Sequence, residues 1–162
     1  MIIRKATELD IEDIHSIESI CFPPLEAADK QCIQERISKL DGYFWVAEID
    51  SKLVGIINGC CTNSNKIFDD LYDDINLHNP NGEYYAIFSL AVLPEYQKQG
   101  IASKLMNKAI NISKENNKKG LVLACKDKLI KMYEHLGYIH LGKSNSKHGG
   151  STWHDMIYIF EN

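Results

Sequence analysis

A chain of 162 residues, 44% hydrophobic and 25% charged, has the size and balance of one ordinary globular domain that needs no disulfide or metal staple. Its formal net charge of -4 argues against nucleic acid as a partner, since phosphate recognition favours a basic face. No apolar run approaches the ~20 residues of a membrane span, and Met1–Lys5 leads straight into periodic structure without a leader pattern, so a cytoplasmic protein is expected.

Ile2–Ala6 reads as a first strand. Thr7-Glu8-Leu9-Asp10 has the form of a capping box with Asp10 in the acidic position. Leu9, Ile14, Ile17 and Cys21 then recur at helical spacing, until Phe22-Pro23-Pro24 ends that helix. A second helix is expected from Ala27 to Leu40, with Cys32, Ile33, Ile37 and Leu40 inward. Tyr43–Glu48 and Leu53–Cys61 form a hairpin about the tight turn Asp50-Ser51-Lys52. The segment from Asn63 to Gly82 is polar and acidic (Asp69, Asp70, Asp73, Asp74) and reads as a mobile insertion holding a short helix.

Tyr84–Val92 is almost wholly apolar, the pattern of a central strand covered on both faces. After Pro94, the clearest helix runs from Ile101 to Ser113 on the stripe Ile101, Leu105, Ala109 and Ile112. Leu121–Cys125 is another buried strand. A helix over Lys128–Leu136 ends at Gly137, a good C′ residue. Tyr138–Gly142 and Trp153–Phe160 are the last strands, separated by a polar loop. The order β-α-α-β-β-β-α-β-α-β-β defines a mixed α/β domain, single over residues 1–162. Five cysteines, an odd number without a C-x-x-C pair, read as reduced, mostly buried thiols, and no zinc site is expected.

The most informative stretch is Leu90-Ala91-Val92-Leu93-Pro94-Glu95-Tyr96-Gln97-Lys98-Gln99-Gly100-Ile101-Ala102. A buried strand stops at a proline, a turn follows, and a glycine opens the strongest helix. Free amides at a helix start, with the helix dipole, bind anions, and Lys98 adds charge. Neither the Walker loop nor the dinucleotide fingerprint is present.

This segment resembles the central R/Q-x-x-G-x-G/A motif of the GCN5-related N-acetyltransferases, and the element order is similar over nearly the whole chain. Cys125–Tyr138, with Tyr133 on a helix followed by Gly137-Tyr138, resembles the family's next motif. Leu77–Gly82, Cys125-Lys126-Asp127 and His148–Met156 resemble an arylalkylamine-acetylating branch in its bacterial form. The resemblance implies a mostly antiparallel sheet with splayed central strands and acetyl-CoA as cosubstrate, with no metal. It also implies a primary amine as acceptor and, as is common in such families, a homodimer. The main chain of Leu90, Ala91 and Val92 would pair with the pantetheine arm. The amides of Gln97, Lys98, Gln99, Gly100, Ile101 and Ala102, with Ser103, would hold the pyrophosphate.

Acyl transfer needs donors for a tetrahedral oxyanion, a route for the ammonium proton and an acid for the departing thiolate. Spacing alone makes Tyr133 a core tyrosine; the motif makes it the acid. Animal relatives in the arylalkylamine branch carry two histidines where this chain has Ala86 and Phe88, neither able to accept a proton. The base then falls to Glu26, with Glu83, His148, His154, Asp155 or a water chain as substitutes. Lys126 stands where many members carry a cofactor-contacting asparagine. Cys125 is a buried thiol or an acyl relay, and His148 with His154 is a weak metal pair. The acidic cluster favours a small cationic amine, and the missing histidines leave a non-catalytic acyl-CoA sensor as the second reading.

Overall fold

The structure, a computed structural model, describes residues 1–161. Its strands are β1 (Ile2–Lys5), β2 (Phe44–Ile49), β3 (Lys52–Thr62), β4 (Tyr84–Val92), β5 (Gly120–Cys125), β6 (Ile139–Lys143) and β7 (His154–Ile159). The helices are α1 (Ile11–Cys21), α2 (Lys30–Lys39), α3 (Asp70–Asp73), α4 (Ile101–Glu115) and α5 (Ile130–His135). The strands follow the order β1-β2-β3-β4-β5-β7-β6 in one mostly antiparallel sheet, the mixed α/β class expected. The chain divides into two compact units. One comprises Met1–Gly59 and Ser89–Ala109; the other runs from Cys60 to Phe88 and from Ile110 onward.

In the first unit, β2 and β3 pair antiparallel across the two-residue turn Asp50-Ser51, both at positive φ (49° and 66°), the geometry whose twist suits a hairpin. The core joins Ile14 and Ile17 of α1 and Ile33 of α2 to Phe44, Val46, Leu53, Ile56, Ala91 and Leu93. Leu9, expected on the inner stripe, is 94% exposed: it lies in a 3-10 turn before α1, where the helical phase does not apply. Asp10 does what the capping box asks, accepting from the Thr7 amide at 2.8 Å. The second helix starts three residues later than expected, because Asp29 caps it by accepting from Cys32 N at 2.8 Å. Trp45 donates to the Gly42 carbonyl at 2.9 Å, under the Lys108 ammonium 4.4 Å from its ring.

In the second unit, β5 pairs antiparallel with β7 from Gly120↔Ile159 to Cys125↔His154, and β6 borders β7. The start of β4 pairs parallel with β5, from Tyr84↔Gly120 to Ala86↔Val122. The expected mobile insertion is tied down. Asp69 accepts from the Ser146 hydroxyl and from Lys147 N at 3.0 Å, and Tyr72 is buried against the His148 ring, 4.2 Å away and nearly parallel. The Lys118 ammonium bridges the Pro80 and Gly82 carbonyls at 2.6 and 2.7 Å. Trp153 donates to the His148 carbonyl at 2.8 Å.

Candidate active site

The stretch singled out from sequence, Leu90 to Ser103, lies entirely in the first unit. β4 runs out through Leu90, Ala91 and Val92, and Pro94–Tyr96 form one 3-10 turn. Two groups brace the strand end: Leu93 N donates to Val54 O at 2.8 Å, and Gln97 Nε2 donates to Val92 O at 3.0 Å. The Cys21 thiol reaches the same Val92 carbonyl at 3.5 Å. Gly55 makes this packing close, since a Cβ there would sit 3.1 Å from the Ala91 carbonyl and from a Leu105 methyl.

Beyond Gln97 the chain turns twice through the left-handed region, at Lys98 (φ 63°) and Gly100 (φ 80°). Glycine adopts that conformation without a Cβ penalty. The first helical bond of α4 is Lys104 N to Gly100 O at 3.1 Å. The amides of Ile101, Ala102 and Ser103 therefore have no carbonyl of their own helix to bond. They point out of the positive end of a 15-residue helix. Ile101, Leu105, Met106 and Ala109 are buried and hold that end in place. Lys98, Gln99 and Gly100 are exposed beside it. Gln97 differs from the expectation in one respect: its amide donates within the turn to Pro94 O at 3.3 Å, and its side chain acts as the brace.

Glu26 lies in the same unit, partly exposed in the turn after Pro23-Pro24, with its amide bonded to Pro23 O at 2.9 Å. Sequence reasoning missed four buried polar side chains nearby: Glu18 on α1, Arg36 on α2, Asn58 on β3 and Ser89 on β4. Ser89 Oγ donates to Glu18 Oε1 at 2.8 Å and Arg36 Nη1 to Asn58 Oδ1 at 3.2 Å. The available signal was the phase of α1, which puts residue 18 beside Ile14 and Ile17.

Tyr133 lies in the second unit, on α5, 6% exposed. Its ring meets Tyr138 edge-on at 5.6 Å, and Tyr138 meets Tyr158 likewise at 5.7 Å. Burial, with a smaller contribution from Cys125, raises its phenol well above the ordinary value, so it is protonated at any physiological pH. Gly137 (φ 103°) closes α5 as expected, and a Cβ there would strike the Tyr158 ring at 2.7 Å. Burial also pushes the Cys125 thiol up to about 11, which suits a structural thiol and not an acyl relay. His154 pairs with His140, Nδ1 to Nε2 at 3.1 Å, and His148 is stacked on Tyr72, so the two residues considered as a metal pair have different partners. Glu83 pairs with the Lys119 ammonium. Asp155 is buried on β7 with Oδ1 unpartnered. Lys126 lies over the Trp153 ring at 5.7 Å.

A turn with two left-handed residues thus ends a buried strand and opens an amphipathic helix, a geometry suited to holding an anion. The acetyltransferase (GNAT) family model matches residues 11–138, and the chain belongs to that family. An uncharacterized N-acetyltransferase of Archaeoglobus fulgidus is 39% identical over 74 residues, 46% of this chain and 42% of that protein. A probable hydrolase of Bacillus subtilis, YhcX, is 24% identical over 130 residues, 76% of this chain and 25% of its own length. Each match thus covers less than half of the curated relative's own length. Among solved structures, the GphF GNAT-like decarboxylase in complex with isobutyryl-CoA superimposes with a TM-score of 0.81 at 15% identity, covering 98% of this chain and 99% of that one.

Proposed function

We propose that this chain is a single-domain N-acetyltransferase, moving the acetyl group of acetyl-CoA directly to a primary amine. The observation that carries this reading is the α4 N-terminus. Three amides without helical partners, a left-handed glycine and an exposed lysine form a cradle for a pyrophosphate. Leu90, Ala91 and Val92 offer main chain to the pantetheine arm. Lys98, Gln99, Gly100, Ile101, Ala102 and Ser103 hold the diphosphate, with Gln97 stiffening the approach.

Tyr133 is the proposed donor to the departing thiolate, because burial keeps its proton in place until a stronger base appears. The acceptor is a small cationic amine. That choice is supported by the exposed carboxylates Asp70, Asp73 and Asp74, which attract cations; Asp69 is engaged by Ser146 and Lys147. The arylalkylamine class has less support, because Ala86 and Phe88 offer no base. A reducing compartment fits the five free cysteines among the described residues.

The test is CoA thiol release from acetyl-CoA over a panel of primary amines. Turnover on at least one alkylamine is expected, and Tyr133→Phe should lower kcat about 100-fold while leaving acetyl-CoA affinity nearly unchanged. Tight acetyl-CoA binding without turnover on any amine would instead make the protein an acyl-CoA sensor.

A further inference from the structure

Glu18 is 1% exposed, on the face of α1 that carries Ile14 and Ile17 into the core. Its two carboxyl oxygens are treated differently. Oε1 accepts from Ser89 Oγ at 2.8 Å, whereas Oε2 is buried with no hydrogen-bond partner. A buried oxygen left in that state costs about 1–3 kcal/mol. An apolar side chain of similar size would fill such a position without that cost.

The surroundings are specific. Burial raises the Glu18 pKa above the ordinary carboxylate value; against it, the Ser89 hydroxyl from β4, Arg36 on α2 and the Ala28 amide from the loop between the helices favour the charged form. The Cys21 thiol of α1 and the Cys32 thiol of α2 also lie within its field, and both are held neutral, chiefly by burial. Asn58, which takes the Arg36 hydrogen bond on Oδ1, has its own Nδ2 unpartnered and buried. Ser89 immediately precedes Leu90–Val92, so the carboxyl is fastened to β4 one residue before the segment assigned to the pantetheine arm.

We infer that Glu18 is the terminal acceptor for the proton shed by the acceptor's ammonium group, with Ser89 fixing the carboxyl through Oε1 and Oε2 left to take the proton. The inference rests on the acetyltransferase reading. In the step, R–NH3+ gives one proton to the Glu18 carboxylate and becomes a neutral amine. Its lone pair forms the C–N bond to the acetyl carbonyl. On collapse of the tetrahedral species the C–S bond breaks and CoA leaves with that electron pair. Tyr133 gives its proton to the CoA sulfur and is restored by the nitrogen's second proton, and the Glu18 proton returns to solvent. Glu26, the choice from sequence, is partly exposed in a turn, whereas Glu18 is buried.

The experiment is the pH profile of kcat/KM for thiol release with a primary alkylamine. Activity should fall as pH drops through the Glu18 titration. Glu18→Gln should lose about 100-fold in kcat/KM and the acidic limb with it, keep its acetyl-CoA affinity, and recover most of the rate with hydroxylamine, which arrives unprotonated. A Glu18→Gln profile identical to wild type overturns the inference. Should that variant fail to fold, Ser89→Ala supplies the answer. Losing a donor that favours the carboxylate should move the acidic limb to higher pH, and an unmoved limb overturns the assignment. A wild-type chain without turnover on any amine would remove the acetyltransferase reading as well. An active wild type with an indifferent Glu18→Gln removes the present inference alone.

Discussion

At Asp10, burial pushes the carboxyl's pKa up, but the opposing groups prevail. Arg4 grips it with two parallel bonds of 2.8 and 2.9 Å, and the Thr7 amide and hydroxyl add two more, so its pKa is held below the ordinary value. A carboxylate depressed in the folded state contributes stability above its unfolded pKa and loses it as pH falls through the folded one. Asp10→Asn should therefore cost about 2 kcal/mol near neutrality. The cost should shrink below about pH 4, measured as the gap between urea midpoints of variant and wild type; a gap constant from pH 7 to pH 3 would contradict this. The Thr7-Asp10 pair was legible because its spacing is local. The phase of α1 marked residue 18 as inward-facing, but Arg36, Asn58 and Ser89 carried no such mark, because a polar side chain in a helix or strand reads as solvent-facing until tertiary packing covers it.

At the level of elements, β4, its turn and α4 were readable to within two residues, since both periodicities are strong and the proline and glycine punctuate them. The contacts of the insertion, Asp69 to residues 146 and 147 and Lys118 to the carbonyls of 80 and 82, were not legible because the partners are distant in sequence. In the turn, Gly100 has open space around a built Cβ, so a substitution there meets conformational strain only. Gly100→Ala should destabilise the protein by about 1 kcal/mol and weaken CoA binding several-fold, read by denaturant titration and calorimetry. Unchanged CoA affinity would argue that the loop does not grip the diphosphate.

For the whole molecule, the two compact units are not successive stretches of chain: β3, β4 and α4 each begin in one and end in the other. Hydrogen-bonded elements that run through both cannot fray at the boundary without losing their own ladders. Sequence reading foresaw a single domain and gave no sign of this division, which depends on long-range contacts.

The two tryptophans fall one to each unit, Trp45 beneath Lys108 and Trp153 bonded to the His148 carbonyl. Nature has thereby supplied a separate fluorescent probe for each half. Emission from Trp153→Phe reports only on the first unit and that from Trp45→Phe only on the second. Coincident urea midpoints for the two, matching far-UV circular dichroism, are the expected sign of all-or-none melting; resolved midpoints would mean that one half survives the loss of the other.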